Sequence, residues 1–215
     1  MANKKTIALT EEQFHQIIKV LKEGATVTGG SEIRPNRRVA TILSLEAALG
    51  LRISDILLLT LESFVRDGDH YRLDIEEEKT GKSRTFEVDD SIMLYITQYC
   101  NDEGIKRNER IFAPSAKKRL IIPRTKKERQ RITKGEERGV QKVLKNVCDY
   151  LELENISTHS FRKFFATSAY KSSDGDIAVV QELLQHASPV TTRRYINVSR
   201  KKVKAALKAQ ARILQ

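Results

Sequence analysis

Long hydrophobic runs, cysteine clusters and an acidic C-terminus are all missing from this 215-residue chain. No apolar stretch approaches the roughly 20 residues that a bilayer-spanning helix needs, so no membrane segment is expected. The opening MANKKTIALTEEQF sets no apolar stretch behind its lysines, which is unlike a secretory signal and leaves the cytoplasm as the expected compartment. Cys100 and Cys148 stand far apart without CxxC spacing, and are expected as reduced thiols on helical segments, not as a disulfide or half a metal site. Of the 4 histidines, His15 and His70 are remote from the others, and no HExxH occurs; neither a metal nor another cofactor is expected. Internal repeats and low-complexity tracts are absent too.

What is present is a globular composition, 40% hydrophobic and 31% charged, with a formal net charge of +11. The length suits one large domain, or one domain with a small appendage. The charge is concentrated. Lys117 to Arg131 holds eight basic residues against one acid, Glu128, and the 33 residues after Glu182 contain no acid. Such zones attract polyanions, because each neutralised phosphate releases condensed counterions, and nucleic acid is the first partner to consider. The plain alternative is a solvated basic face.

Periodicity predicts a mainly helical α+β protein with one small three-stranded antiparallel sheet. Thr10 and Gln13 form a capping box ahead of Phe14, Ile17, Ile18 and Leu21, a helical stripe that stops near Gly24. GATVTGGSEIRP reads as a loop, and Asn36 to Leu49 as a largely buried central helix. After Gly50, the segment SDILLLT opens with Ser54 and Asp55, good first-turn residues, and reads as another apolar helix, which puts Arg52 at a junction between two buried helices. A cation there needs a partner or a task. Between Glu62 and Val88 the period becomes two, with turns at Asp67-Gly68 and Thr80-Gly81, giving the meander. A helix carrying Ile92, Tyr95, Ile96 and Tyr99 follows, ending near Gly104. The basic stretch from Arg110 to Lys134 reads as irregular. Further helices are expected over 135–151, 159–170, 176–186 and 199–213, with a short polar turn from Pro189 to Tyr195. Tyr95, Tyr99, Tyr150 and Tyr170 fall among apolar neighbours and read as packing residues.

Within THSFRKFFATSAY, His159 and Arg162 are three apart and so share a face of the first turn, with Phe161, Phe164 and Phe165 as the anchor. Taken alone, such a pair is usually a surface or capping pair. His186 follows in LLQHASPVTTRRYIN, with Tyr195 nine residues beyond it. At this point the sequence closely resembles the tyrosine recombinases of the phage-integrase type, over roughly Ala8 to Ile196. That resemblance implies the catalytic-domain fold of the family and an active site of Arg52 in LGLRISD, Lys79 in KTGK, His159, Arg162, His186 and the nucleophile Tyr195. It also implies a 3′-phosphotyrosyl link with a 5′-hydroxyl leaving group, double-stranded DNA as substrate with no small molecule, and a homotetramer on DNA.

The chemistry suits those residue types. Guanidinium groups are planar and permanently charged, so Arg52 and Arg162 can clamp the phosphate oxygens as their charge grows in the transition state. Attack by Tyr195 keeps the bond energy in a phosphotyrosine that a hydroxyl of another strand can resolve. Lys79 fits the acid that protonates the leaving oxygen, with Lys82 a rival in the same turn. His159 fits a base for the tyrosine proton or a phosphate donor, and His186 a second donor. Further DNA contacts are expected from Lys82, Lys117, Lys118, Arg119, Arg124, Lys126, Lys127 and Arg193. The acidic run Glu76-Glu77-Glu78 is out of place beside phosphates unless it pairs with bases or faces away.

Val203, Leu207, Ala211 and Leu214 stripe a basic C-terminal helix that packs either on its own domain or on a neighbouring protomer. The chain is thus expected as a single catalytic domain, with a core over about 8–196 and a tail over 197–215, lacking the helical N-terminal domain common in the family. A non-catalytic DNA-binding accessory on the same scaffold is the alternative, and supercoil relaxation by the same chemistry a third outcome.

Overall fold

The computed structural model describes residues 6–26, 32–76, 81, 83–184, 191–192 and 196. Its chain divides into two compact units, Met1–Phe165 and Ala166–Gln215.

In the first unit the core is laid down by one helix, α2 (Arg37–Leu49), whose apolar residues Val39, Ala40, Ile42, Leu43, Leu45 and Leu49 are all buried. Asn36 starts it, its side chain accepting the Val39 amide at 3.0 Å. Helix α1 (Glu11–Glu23) lies against it, and here the expected capping box forms: the Thr10 hydroxyl accepts from Gln13 N at 3.1 Å, while Gln13 Oε1 accepts from Thr10 N at 3.0 Å. The loop expected after α1 carries a small ladder, β1 (Ala25–Thr26) antiparallel to β2 (Glu32–Ile33), too short for a period-two pattern to show in sequence. The helix expected over SDILLLT is a single turn, α3 (Ile53–Ile56), after which Thr60 bridges to Arg110. Leu57 and Leu59 are inaccessible in irregular backbone with Leu58 half-buried between them, and continuous apolarity cannot separate such a run from a helix.

The meander forms as expected from β3 (Phe64–Asp67), β4 (His70–Glu76) and β5 (Ser83–Val88), in that order in the sheet. Phe64 opposes Leu73, and Leu73 opposes Phe86. Phe64, Leu73 and Val88 thereby join the core. Helix α4 (Asp90–Asp102) begins at an Asp89 cap and buries Ile96, Tyr99 and Cys100. Cys148 is likewise buried, and burial pushes both thiols up to about 11.

The stretch expected as irregular holds a short helix α5 (Ala116–Arg119) and the start of α6 (Lys126–Tyr150), which begins nine residues earlier than its glycines suggest. Gly135 lies within α6, not at its start. The signal was Thr125-x-x-Glu128, a second capping box at the true beginning. Helix α7 (Thr158–Ser172) follows and crosses from the first unit into the second. Tyr150, expected to pack, is exposed at the end of α6.

Two arginines and one carboxylate tie this stretch to the core. Arg110, 1% exposed, donates from both terminal nitrogens to Glu136 of α6, at 2.9 and 3.3 Å, and also to the Leu57 carbonyl at 3.3 Å. Arg38 of α2 adds an ion pair to Glu136 at 3.8 Å and donates from Nε to the Phe112 carbonyl at 2.8 Å.

In the second unit, α8 (Ile177–Leu184) is capped by Asp176, whose carboxylate accepts from Ala178 N at 2.7 Å, and it buries Val180 and Leu184. Thr192 and Ile196 are buried too. Among the described residues no helix is long and apolar enough to cross a membrane.

Removing Glu136 leaves two buried or half-buried arginines facing one another. Glu136→Ala is expected to cost about 3–5 kcal/mol, the magnitude for breaking a buried ion pair by deleting one partner. A urea melt that shifts by less than about 1 kcal/mol would rule out this role for the cluster.

Candidate active site

The end of α2 sets the site. Gly50 closes the helix in the left-handed conformation, φ +62°, its N–H donating to the Glu46 carbonyl at 3.0 Å. Glycine is required twice over: other residues resist that φ, and a Cβ would lie 2.3 Å from the Phe165 ring of α7. The chain then turns so that Arg52 stands at the N-cap of α3, its side chain 23% exposed. Asp55, one turn on and 3% exposed at its side chain, pairs with it at 3.9 Å. Arg52 is therefore at the junction that its sequence position implies, held from behind and open in front.

Arg162 arrives from the other side. The start of α7 is fixed by Thr158 N donating to Gln141 Oε1 of α6 at 3.2 Å, by Ser157 N donating to Ser160 Oγ at 3.1 Å, and by the inaccessible Phe161. Lys163 Nζ adds a bond to the Thr6 carbonyl at 2.5 Å. One turn in, Arg162 is 4% exposed and donates from a terminal nitrogen to the Gly50 carbonyl. The two arginines of the expected set are thus brought together at a single turn, Arg162 bonding to the residue two before Arg52. His159, in the same first turn of α7, is exposed.

One buried acid near Arg162 escaped the sequence reading. Glu46, buried to 1% in the middle of the apolar helix, lies within electrostatic reach of Arg162, and its Oε2 accepts no hydrogen bond among the described residues. Burial holds its carboxyl well above the ordinary 4.5, Arg162 pulls it down, and Glu137 raises it. A charged residue at a core position of the helix was the available signal.

Lys79, Lys82, His186, Arg193, Tyr195 and the tail over 197–215 lie outside the described residues. The hairpin arms that flank Lys79 and Lys82 are described, ending at the pair Glu76 and Ser83. Glu76 forms an ion pair with Arg129 of α6 at 3.0 Å, so one member of the acidic run does pair with a base. Of the expected DNA contacts, Lys117, Lys118, Arg124, Lys126 and Lys127 are exposed. Arg119 is engaged within the protein, donating to the Glu103 carbonyl at 3.0 Å with its side chain 16% exposed. Among the described residues no cluster of His, Cys, Asp and Glu could hold a metal ion.

The site's described part is thus Arg162 bonded to the Gly50 carbonyl, with Arg52 two residues on and paired with Asp55. The sequence profile described as the phage integrase family matches residues 8–202. The chain belongs to that family. It is 35% identical over 158 residues to the probable integrase/recombinase YoeC of Bacillus subtilis, covering 74% of this chain and 76% of that one. To the tyrosine recombinase XerC of Caldanaerobacter subterraneus it is 25% identical over 204 residues, 90% of this chain but 50% of that protein, so it spans about half the length of such relatives. In structure it is similar to the XerH site-specific recombinase bound to a palindromic difH substrate in a post-cleavage complex, with a TM-score of 0.67, 18% identity, and coverage of 96% of this chain and 53% of that one. The fold is that of the tyrosine recombinases.

Two outcomes follow from the turn and its buried acid. Gly50→Ala should destabilise the chain by more than the roughly 1 kcal/mol of a strained left-handed alanine, because the Phe165 ring must also move; a melting temperature equal to wild type would contradict this. For Glu46, a folded pKa above the unfolded 4.5 means its contribution to stability is fully present below that pH and lost as pH rises through the raised value. Unfolding free energies measured from pH 4 upward should therefore gain on wild type in Glu46→Gln as pH rises, and a constant difference would refute the shift.

Proposed function

We propose that this chain is a site-specific DNA recombinase that cleaves and rejoins strands through Tyr195. The observation that carries the reading is the convergence of Arg52 and Arg162 on the Gly50 turn. Paired guanidinium groups fixed before substrate arrives stabilise charge on a phosphoryl group without reorganising during the reaction. Family membership supports a DNA substrate and this reaction class.

In this reading the Tyr195 oxygen attacks phosphorus, the bond to the 5′-oxygen breaks, and that oxygen takes a proton from Lys79 on the hairpin. His159 accepts the tyrosine proton or donates to a phosphate oxygen, and His186 donates to the same phosphate. Arg52 and Arg162 hold the nonbridging oxygens. The 5′-hydroxyl of a second strand then reverses the step on the phosphotyrosine, restoring Tyr195 and a joined strand. Lys117, Lys118, Arg124, Lys126, Lys127 and Arg193 contact the duplex, several copies of the chain assemble on double-stranded DNA, and the reaction takes place in the cytoplasm.

Nicked suicide duplexes test it, because loss of the short 5′-hydroxyl strand traps the covalent intermediate. Wild type should form an adduct that resists denaturation, and Tyr195→Phe should form none. Arg52→Lys should keep DNA binding and lower the cleavage rate by about 10²–10³-fold, since an ammonium cannot bridge two oxygens. DNA binding without an adduct on any duplex of a randomised pool would instead identify a non-catalytic DNA-binding protein.

A further inference from the structure

Leu120, Ile121 and Ile122 are three consecutive large apolar residues exposed by 66%, 49% and 47%, in the loop between α5 and α6. They interrupt the most basic segment of the chain, with Lys117 and Lys118 before them and Arg124, Lys126 and Lys127 after, all exposed. The one acid of that segment, Glu128, has its carboxylate turned to the backbone at the start of α6, accepting from Arg124 N at 2.9 Å and Thr125 N at 3.1 Å. Ile122 and Pro123 also wall a pocket of about 210 Å³ whose other side includes Asp55, the partner of Arg52. The apolar triplet is thus a neighbour of the arginine site.

We propose that Leu120 and Ile121 form an apolar contact with duplex DNA beside the cleavage site, seated against sugar and base surfaces while the flanking lysines and arginines hold the phosphates. A protein partner of ordinary composition would have to desolvate those cations to reach the leucine and isoleucine, which is costly. A duplex offers phosphates spaced around apolar sugars, thymine methyl groups and base steps, and so satisfies both kinds of side chain at once. Pro123 restrains the backbone on the C-terminal side of the triplet, lowering the entropy lost when it docks. The choice of DNA rests on the recombinase reading; the contact itself is read by binding and not by cleavage.

The test uses the full chain with Leu120→Ser/Ile121→Ser, leaving the pocket residue Ile122 in place, and with Leu120→Met/Ile121→Met, which keeps the surface apolar. Binding to an end-labelled duplex of about three helical turns is measured as a function of salt, with melting temperature as a check on folding. The serine variant should bind about tenfold or more weakly with an unchanged slope of log affinity against log salt, because an apolar contact releases no counterions; the methionine variant should bind as wild type. Equal affinity in the serine variant overturns the proposal. So does a loss accompanied by a lowered salt slope, which would mean displaced cations, and so does altered self-association without DNA at unchanged DNA affinity, which would make the triplet an interface between copies. Failure to form a covalent adduct with intact DNA binding would count against the recombinase reading and leave this comparison standing.

Discussion

The Gly50 carbonyl is where the structure commits two helices to one purpose. It is among the last carbonyls of α2, which lack a partner inside the helix, and Arg162 supplies one from α7. The bond is charge-assisted and buried, so it is strong and costly to leave unmade. Because Gly50 carries no side chain, the Phe165 ring can lie against its Cα, and α7 cannot drift without losing that contact. The same left-handed turn buries Leu51 and brings Arg52 to the N-cap of α3 with its side chain 23% exposed. Both arginines of the site thus inherit their geometry from a single residue whose chemical contribution is only a carbonyl and an absence.

Around that turn, a second layer holds the mobile-looking parts of the sequence to the core. Glu136 gathers Arg38 from α2 and Arg110 from the loop after α4, so the stretch between Arg110 and α6 is anchored at its start and along the helix that follows. Arg129, two turns before Glu136 on α6, reaches the end of β4 through Glu76. One helix therefore carries the ion pairs that position both the basic segment and one arm of the hairpin. Glu76, the first of the acidic run, is thereby tethered to α6.

These relations were unevenly legible in the sequence. The Thr10 capping box, the central helix and the meander announce themselves locally, through spacings of three or four or alternation. The extent of α6 was hidden because Gly135 and Gly139 look like breakers, yet tertiary ion pairs and Val140, Leu144 and Val147 in the core outweigh a glycine cost of about 1 kcal/mol each. The single turn of α3 was hidden because a short continuous apolar run carries no helical period to set its end. At the site, the identity of Arg52 and Arg162 was readable from motif and order, whereas their shared dependence on Gly50, and the presence of Glu46 behind them, required the packing of α7 on α2.

Glu46 bears on what the arginine pair can offer a phosphate. A fully ionised carboxylate beside Arg162 would cancel much of the guanidinium field at the position where substrate charge develops, whereas a neutral carboxyl leaves that field intact. Burial to 1% pushes Glu46 toward the neutral form more strongly than Arg162 pulls it back. Asp55 sits differently, 3.9 Å from a more exposed Arg52. The two arginines therefore face their acids under different conditions: Arg162, 4% exposed, lies beside a carboxyl whose pKa burial raises, and the more exposed Arg52 pairs with Asp55 at 3.9 Å.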